Sequence, residues 1–422
     1  MKVAVVGAGW AGLAAAVRAT QAGHAVTVFE MAAQPGGRAR GVEVEGLALD
    51  NGQHILIGAY LRTLDLMRTV GADVDTLLHR QPLELRYPDG RGLRLPGGPA
   101  WLAFGIGVLR CRGMGWGDRL ALMRASAGWA LAGFRCAPQT TVEQLCAGLP
   151  PNVRQLLIEP LSVAALNTGA AEASATVLLR VLRDALFGGR GAADLLLPRR
   201  PLSALLPEPA TAWLAQRGTE LRLGARVQVL AASAAGWQID GQDFNAVVLA
   251  CSAAEAARLA APHAPTWAAR ARALGYEPIV TVYLQCPGAR LPAPMTALLE
   301  GPAAPAQFAF DHGALGASAG VFAFVVSGAC AWVERGLDAT AGAVLEQALA
   351  AFPAGTWPTQ PRVLRALAEK RATFRCVPAL DRPPAELAPG LLAAGDYIEG
   401  PYPATLEGAV RAGEAAAAAL PR

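Results

Sequence analysis

Apolar residues first gather in a run without alternation, Lys2-Val3-Ala4-Val5-Val6, the pattern of a strand covered on both faces of a parallel sheet. Gly7-Ala8-Gly9-Trp10-Ala11-Gly12 follows, then small helix-forming residues from Leu13 to Ala22 that stop at Gly23, a natural helix end. His24 to Phe29 reads as a second strand closing on Glu30. Strand, glycine turn, helix, strand and terminal acid in that order predict a βαβ unit holding a dinucleotide.

Each position has a physical task in that unit. Gly7 permits the tight turn, Gly9 lets the backbone approach a pyrophosphate, and Gly12 lets the helix pack closely on the strand. Trp10 and Ala11, between the last two glycines, join the expected cofactor contacts, and the N-terminal N–H groups and dipole of the helix that follows favour phosphate charge. Glu30 reaches the hydroxyls of an unphosphorylated adenosine ribose.

Further strands are expected at Leu221–Leu230, which alternates, at Trp237–Ile239, and at the buried run Ala246–Cys251. An apolar strand, Leu391 to Ala394, ends at Gly395-Asp396, and a helix is expected from about Thr405. The stretches YEPIVTVYLQC and AGVFAFVVSGA are β-branched or aromatic and predict strands flooring a cavity, whereas 76–197 reads as mainly helical. Proline-rich segments at 195–210 and 379–390 mark junctions. The fold class that results is α/β. A discontinuous Rossmann-like domain built from 1–75, 200–265 and 385–422 carries an inserted α+β substrate-binding domain, 76–199 and 266–384.

Composition narrows the surroundings. Hydrophobic residues make up 53% and charged residues 17%, which predicts some exposed apolar surface. A net charge of +4 over 422 residues gives no field that would argue for nucleic acid and mildly suits an anionic membrane. The seven cysteines are scattered without CxxC, so neither a disulfide framework nor a metal site is expected, and a reducing cytoplasm is the default. The first strand begins at Lys2, so no cleaved leader is expected. No apolar run reaches the ~18 residues of a membrane span.

Pro35-Gly36-Gly37-Arg38 turns the dinucleotide from NAD to FAD. A second glycine pair lets the chain pass beside the pyrophosphate and follow an extended cofactor toward its isoalloxazine ring. Here the sequence resembles the FAD-dependent amine oxidase and phytoene desaturase superfamily, in which a GGR segment follows the ribose-binding acid. The resemblance implies that Asp396 accepts from a hydroxyl on the ribityl or pyrophosphate side. It further implies that the helix after Thr405 points its N-terminus at the flavin, and that Val227 touches the adenine through its backbone. Only one dinucleotide fingerprint is present, so electrons are expected from an external donor rather than from a bound nicotinamide.

Asp50-Asn51-Gly52-Gln53-His54 lies where the superfamily brings backbone close to the flavin, and Gly52, Gln53 and His54 join the expected cofactor contacts. Together with the segments EPLSVAALNTGAAEASA, EKRATFRC and YPATLEGAV, it narrows the resemblance to the squalene-associated FAD-dependent desaturases of bacterial hopanoid pathways. Gly169 departs from that pattern, standing where a proline is expected. The resemblance implies reductive loss of an allylic hydroxyl from a C30 isoprenoid. Carotenoid desaturation and amine oxidation stand as alternatives within the superfamily, and a non-catalytic flavin-binding role stands outside it. Candidate donors to a leaving hydroxyl are His54, with Gln53 beside it, then Tyr283 and Asp311. His54 reads equally as a structural histidine, and Lys370 as part of a charged strand.

A water-insoluble substrate would come from a membrane. Residues 101–135 interleave Trp101, Phe104, Trp116, Trp129 and Phe134 with Arg110, Arg112, Arg119 and Arg124, which suits helices lying in a membrane interface and also helices walling a cavity. The expected location is cytoplasmic, peripheral on the inner face of the membrane.

Overall fold

A computed structural model describes residues 1–421. Its main sheet has six strands in the order Glu220–Leu223, Ala25–Glu30, Lys2–Val6, Ala246–Leu249, Leu391–Ala393, Glu386–Ala388. The first five run parallel, and the last closes the edge as an antiparallel partner. Lys2–Val6 and Ala246–Leu249 lie centrally and are almost wholly buried, as their unbroken apolar runs require. Strands from far-separated parts of the chain therefore end side by side, and their carboxyl ends open on one crevice.

A second sheet is antiparallel, in the order Met295–Ala297, Phe308–Asp311, Val321–Val326, Tyr276–Gln285, Arg362–Phe374. Helix Leu337–Ala351 covers one face, packing Val344 and Ala348 against Phe322 and Phe324. The opposite face carries Phe308, Phe310 and Val325 into the largest hydrophobic core.

Some expected elements are divided. Leu221–Leu230 is not one strand: it stops after Leu223, and pairing resumes only at Leu230. Gly224 takes φ +69°, Gly224 N donates to Ala32 O and Ala225 N to Glu30 O, and the Asp240 carboxylate captures the N–H groups of Gln228 and Val229. The backbone groups a strand would use are thereby bound locally. The first helix begins at Trp10, three residues before the small-residue run, and extends to Gln21. The mainly helical stretch 76–197 also holds strands Leu78–Gln81, Glu84–Arg86, Gly92–Arg94 and Leu195–Pro198. Among the described residues no helix is long and apolar enough to cross a membrane.

Candidate active site

The first strand delivers the chain to Gly7, where φ is +111° and a Cβ would stand 2.6 Å from Ala250 O, so only glycine fits. A Cβ on Gly12 would lie 1.8 Å from Gly7 O, which makes Gly12 the contact that seats the helix on the strand. Gly9 differs. Its φ of −73° is ordinary, and a Cβ there would meet nothing closer than Gly37 Cα at 3.9 Å. The space over Gly9 is thus open to a ligand. The helix begins there without a side-chain cap and with no acidic residue in its first turn, so its free N–H groups and dipole are available to an anion.

The second glycine pair is drawn alongside. Gly36 N donates to Ala8 O at 2.8 Å, and Gly36 bridges Gly9 in parallel. Arg38 donates to Asp396 Oδ1 at 2.5 Å and to Ala372 O at 2.8 Å, tying the amino-terminal motif to the carboxyl-terminal one. Arg40, two residues on, lines the same cavity and makes no ion pair among the described residues. Its position in Gly36-Gly37-Arg38-Ala39-Arg40 was visible in the sequence, yet only the structure separates the neutralised arginine from the free one.

Glu30 ends its strand buried, at 8% exposure. Its Oε2 accepts from Ala8 N at 2.7 Å and its Oε1 from Ala32 N at 2.8 Å. The carboxylate therefore orders the glycine turn, and each oxygen retains lone-pair capacity for a ribose hydroxyl.

Glu30 and Val227 line one end of a cavity of about 590 Å³, and Gly395, Asp396 and Thr405 another part of it. Thr405 caps the final helix, Leu406–Ala418, accepting from Gly408 N at 3.0 Å and donating to Tyr402 O at 2.7 Å. Glu407, in that helix's first turn, is turned away: fully buried, it accepts from Thr63 N and Oγ1 and from Arg411. Trp10 also lines the cavity, with its indole N–H on Ala39 O at 3.0 Å. Gly12 lies beneath the turn rather than on the cavity wall.

Gly52, Gln53 and His54 line the same cavity. His54 Nδ1 lies 2.7 Å from Gly52 O, and since a carbonyl only accepts, Nδ1 carries the hydrogen. Burial, aided by the charge of Arg38 and opposed by the Gly52 bond, holds the His54 pKa below its ordinary value. Nε2 is then a lone pair at neutral pH. Behind Gln53 stands His312, 3.2 Å from Gln53 Oε1, its pKa pushed down to about 4 by burial. No local pattern foretold this contact, which spans 259 residues of chain.

Tyr283 does not reach the cavity. Its fully buried hydroxyl donates to Asp50 O at 2.8 Å and accepts from Asp50 N at 3.3 Å, so it braces the turn that carries His54. Asp311 is likewise enclosed, accepting from Leu291 N and Ala314 N. Lys370 is exposed on strand Arg362–Phe374 and does not line the cavity. Asn167, in the expected ALNT stretch, lines the same cavity and is left-handed at φ +47°. Its amide holds Glu277 O, Thr373 Oγ1 and Gly328 N.

Leu166, Ile279, Phe308, Phe310 and Val325 form an apolar part of the wall, which Ser327, Glu369 and Thr373 also line. One cavity thus takes in buried Glu30, two glycine turns, a helix N-terminus and an apolar chamber. The open space over Gly9, the uncapped first helix and the unpaired Arg40 fit the pyrophosphate of a dinucleotide whose far end reaches that chamber.

These features define a flavin-dependent oxidoreductase, and the chain belongs to the flavin containing amine oxidoreductase family, whose pattern matches residues 10–421. Its cofactor is FAD. Among its relatives, the hydroxysqualene dehydroxylase of Rhodopseudomonas palustris is 31% identical, over 98% of this chain and 97% of that protein. The hydroxysqualene dehydroxylase of Sinorhizobium fredii is 29% identical over the same shares. The fold matches the crystal structure of an oxidoreductase from Methanosarcina mazei with TM-score 0.75 and 17% identity, over 98% of this chain and 99% of that one.

Proposed function

We propose that this enzyme reductively removes an allylic hydroxyl from a C30 isoprenoid, converting hydroxysqualene to squalene. One observation carries the reading: the cavity includes a cluster of apolar side chains, Leu166, Ile279, Phe308, Phe310 and Val325, on a wall that also holds Gln53, His54, Asn167, Ser327, Glu369 and Thr373. A hydrocarbon calls for such apolar surface, and the polar groups beside it are partly engaged within the protein, Asn167 with Thr373 and Gly328 and Glu369 with Arg371 N. Full-length similarity to two hydroxysqualene dehydroxylases supports the same choice.

FAD supplies hydride chemistry when bound. In the net reaction an allylic C–O bond is replaced by C–H, the hydroxyl leaves as water with one added proton, and the new hydrogen is made up of a second proton and the two electrons that an external donor supplies. Glu30, the glycine turns and the N-terminus of Trp10–Gln21 hold the cofactor. The N-terminus of Leu406–Ala418 favours negative charge at the flavin end, and the apolar wall excludes water.

His54 lines the cavity, and Gly52 O fixes its Nδ1–H, which leaves Nε2 as the nitrogen free to exchange a proton. In its protonated form it donates from Nε2 to the departing oxygen, and its lowered pKa makes it a stronger acid toward that weak base. Activity should therefore rise as pH falls through a pKa below 6.5. Anaerobic mixing of the reduced enzyme with hydroxysqualene, followed by product analysis, tests the reaction: flavin reoxidation without squalene refutes it. His54→Gln should keep its flavin and lose the pH-dependent limb.

The substrate would arrive from a membrane surface. Helix Trp116–Leu131 buries only Leu122, and it exposes Trp116 at 73% and Leu131 at 91%. Trp101 projects from the preceding helix, and Arg110, Arg112 and Arg124 are exposed around these groups. Apolar anchors among arginines match an anionic bilayer interface. Leu131→Glu should leave folding unchanged and reduce co-sedimentation with vesicles; unchanged co-sedimentation refutes the contact.

A further inference from the structure

A second cavity, of about 500 Å³, opens beside the first. Its wall contains Arg180, Arg183 and Arg382 and no carboxylate-bearing residue. Asp184, the nearby acid, is shared: it pairs with Arg180 at 2.6 Å and with Arg183 at 3.1 Å, and also accepts from Tyr402 Oη at 2.6 Å. One negative charge thus stands against two guanidinium groups. Arg382 has no acidic partner among the described residues, and its donors rest on the carbonyls of Ile398 and Gly400. Burial lowers its pKa, a sign that its charge is poorly compensated.

Much of the remaining wall is apolar, with Phe134, Val177, Val181, Phe374 and Leu380 beside Ser174, Thr176 and Tyr402. Phe134 stacks edge-on against Phe187 at 5.5 Å, and Phe187 is 56% exposed. Phe134 also lies three residues beyond Leu131, the most exposed large apolar side chain. The loop that follows helix Trp116–Leu131 thus supplies part of the cavity wall. Tyr402, flanked by Arg180 and Arg411, stands between it and the FAD cavity, which Ala404 and Thr405 line.

We propose that this cavity binds the phosphate headgroup of an anionic phospholipid, with an acyl chain along Phe134, Val177 and Val181. Guanidinium forks match phosphate oxygens bidentately, and the uncompensated charge of Arg382 supplies what a neutral headgroup would leave unused. The proposal extends the membrane-facing reading of Trp116–Leu131 and gives that surface a headgroup preference.

Dihexanoylphosphatidylglycerol, monomeric in water, reads the cavity without a bilayer. Calorimetric titration of the FAD-loaded protein should show saturable one-to-one binding, weakened at least tenfold by Arg183→Gln and by Arg382→Gln. Arg382 also braces the carbonyls of Ile398 and Gly400, so melting temperature and flavin content accompany that variant. Arg183→Gln leaves the Arg180–Asp184 pair in place and keeps the test open if Arg382→Gln misfolds. Absence of saturable binding, equal affinity in Arg183→Gln, or equally tight binding of inorganic phosphate overturns the proposal. In vesicles the wild type should prefer phosphatidylglycerol to phosphatidylcholine at least fivefold, and both variants should lose that preference. Titratable lipid binding with no vesicle association upholds the cavity and refutes the membrane surface.

Discussion

Replacing Gly9 by alanine should separate cofactor binding from folding. A Cβ at Gly9 would contact no protein atom nearer than 3.9 Å, and φ −73° with ψ 179° is open to any residue. Two small effects on the apo fold oppose each other. Restricting the unfolded chain stabilises by about 0.4–1 kcal/mol, and alanine is a poorer helix N-cap than glycine by an amount of similar order. The net change in unfolding free energy should be under about 1 kcal/mol. The new methyl instead occupies the space over the uncapped helix where a phosphate must approach. Losing one or two charge-assisted hydrogen bonds costs about 3 kcal/mol, roughly a hundredfold in Kd. Gly12→Ala should behave oppositely, because its Cβ would overlap Gly7 O at 1.8 Å and force helix and strand apart, at about 3 kcal/mol of stability.

Urea unfolding of flavin-stripped protein gives the first quantity, and quenching of FAD fluorescence on titration gives the second. Wild-type FAD affinity in Gly9→Ala, or wild-type stability in Gly12→Ala, would refute the assignment of these two glycines to different tasks.

Three further outcomes follow from the same geometry. Asn167→Ala leaves Glu277 O and Gly328 N unpaired and strains a left-handed residue, so chemical unfolding should show a loss of about 3 kcal/mol, with Asn167→Gly about 1 kcal/mol less damaging; equal losses would refute the backbone contribution. Burial raises the pKa of Asp50 to about 7, against a hydrogen bond from Leu202 N that lowers it. The folded state therefore holds a proton that the unfolded chain releases, and stability should fall as pH rises from about 4 to about 7. Asp50→Asn should flatten that limb and gain up to about 4 kcal/mol at pH 8, as read from melting at several pH values; a parallel pH profile in the variant would refute it. Arg40→Gln should weaken FAD binding about tenfold with little change in apo melting, since Arg40 has no ion pair to lose; unchanged affinity removes Arg40 from the pyrophosphate site.

The parts of this molecule legible from sequence are those whose physics is local. A βαβ turn needs glycine at fixed offsets, so Gly7, Gly9, Gly12 and Glu30 could be placed by counting. Leu391–Asp396 and the helix after Thr405 were equally local. What escaped depends on partners distant in the chain. Nothing near Tyr283 says that its hydroxyl will close on the backbone of Asp50, 233 residues away, and so its role as a proton donor could not be judged. The break at Gly224 was hidden for a related reason, since the Asp240 carboxylate that captures Gln228 and Val229 comes from another strand pair. His312 and Arg382 belong to the same class: single polar residues whose meaning comes only from what packs around them.

Alanine and glycine near the end of the chain also take on a meaning that composition conceals. A Cβ on Gly413 would lie 2.1 Å from Ala11 O and 2.9 Å from Ala14 Cβ, so the final helix presses on the first at a separation that larger side chains forbid. Arg18 bonds Glu414 across that contact at 2.8 Å, while buried Glu407 fixes the last helix to Thr63. Both helices open their N-termini on the same cavity, and their packing fixes the distance between those two N-termini. Cofactor binding and docking of the last helix therefore act on one packed pair. Each strengthens the other through mass action, which accounts for a cofactor site drawn from the two ends of the polypeptide rather than from one compact stretch.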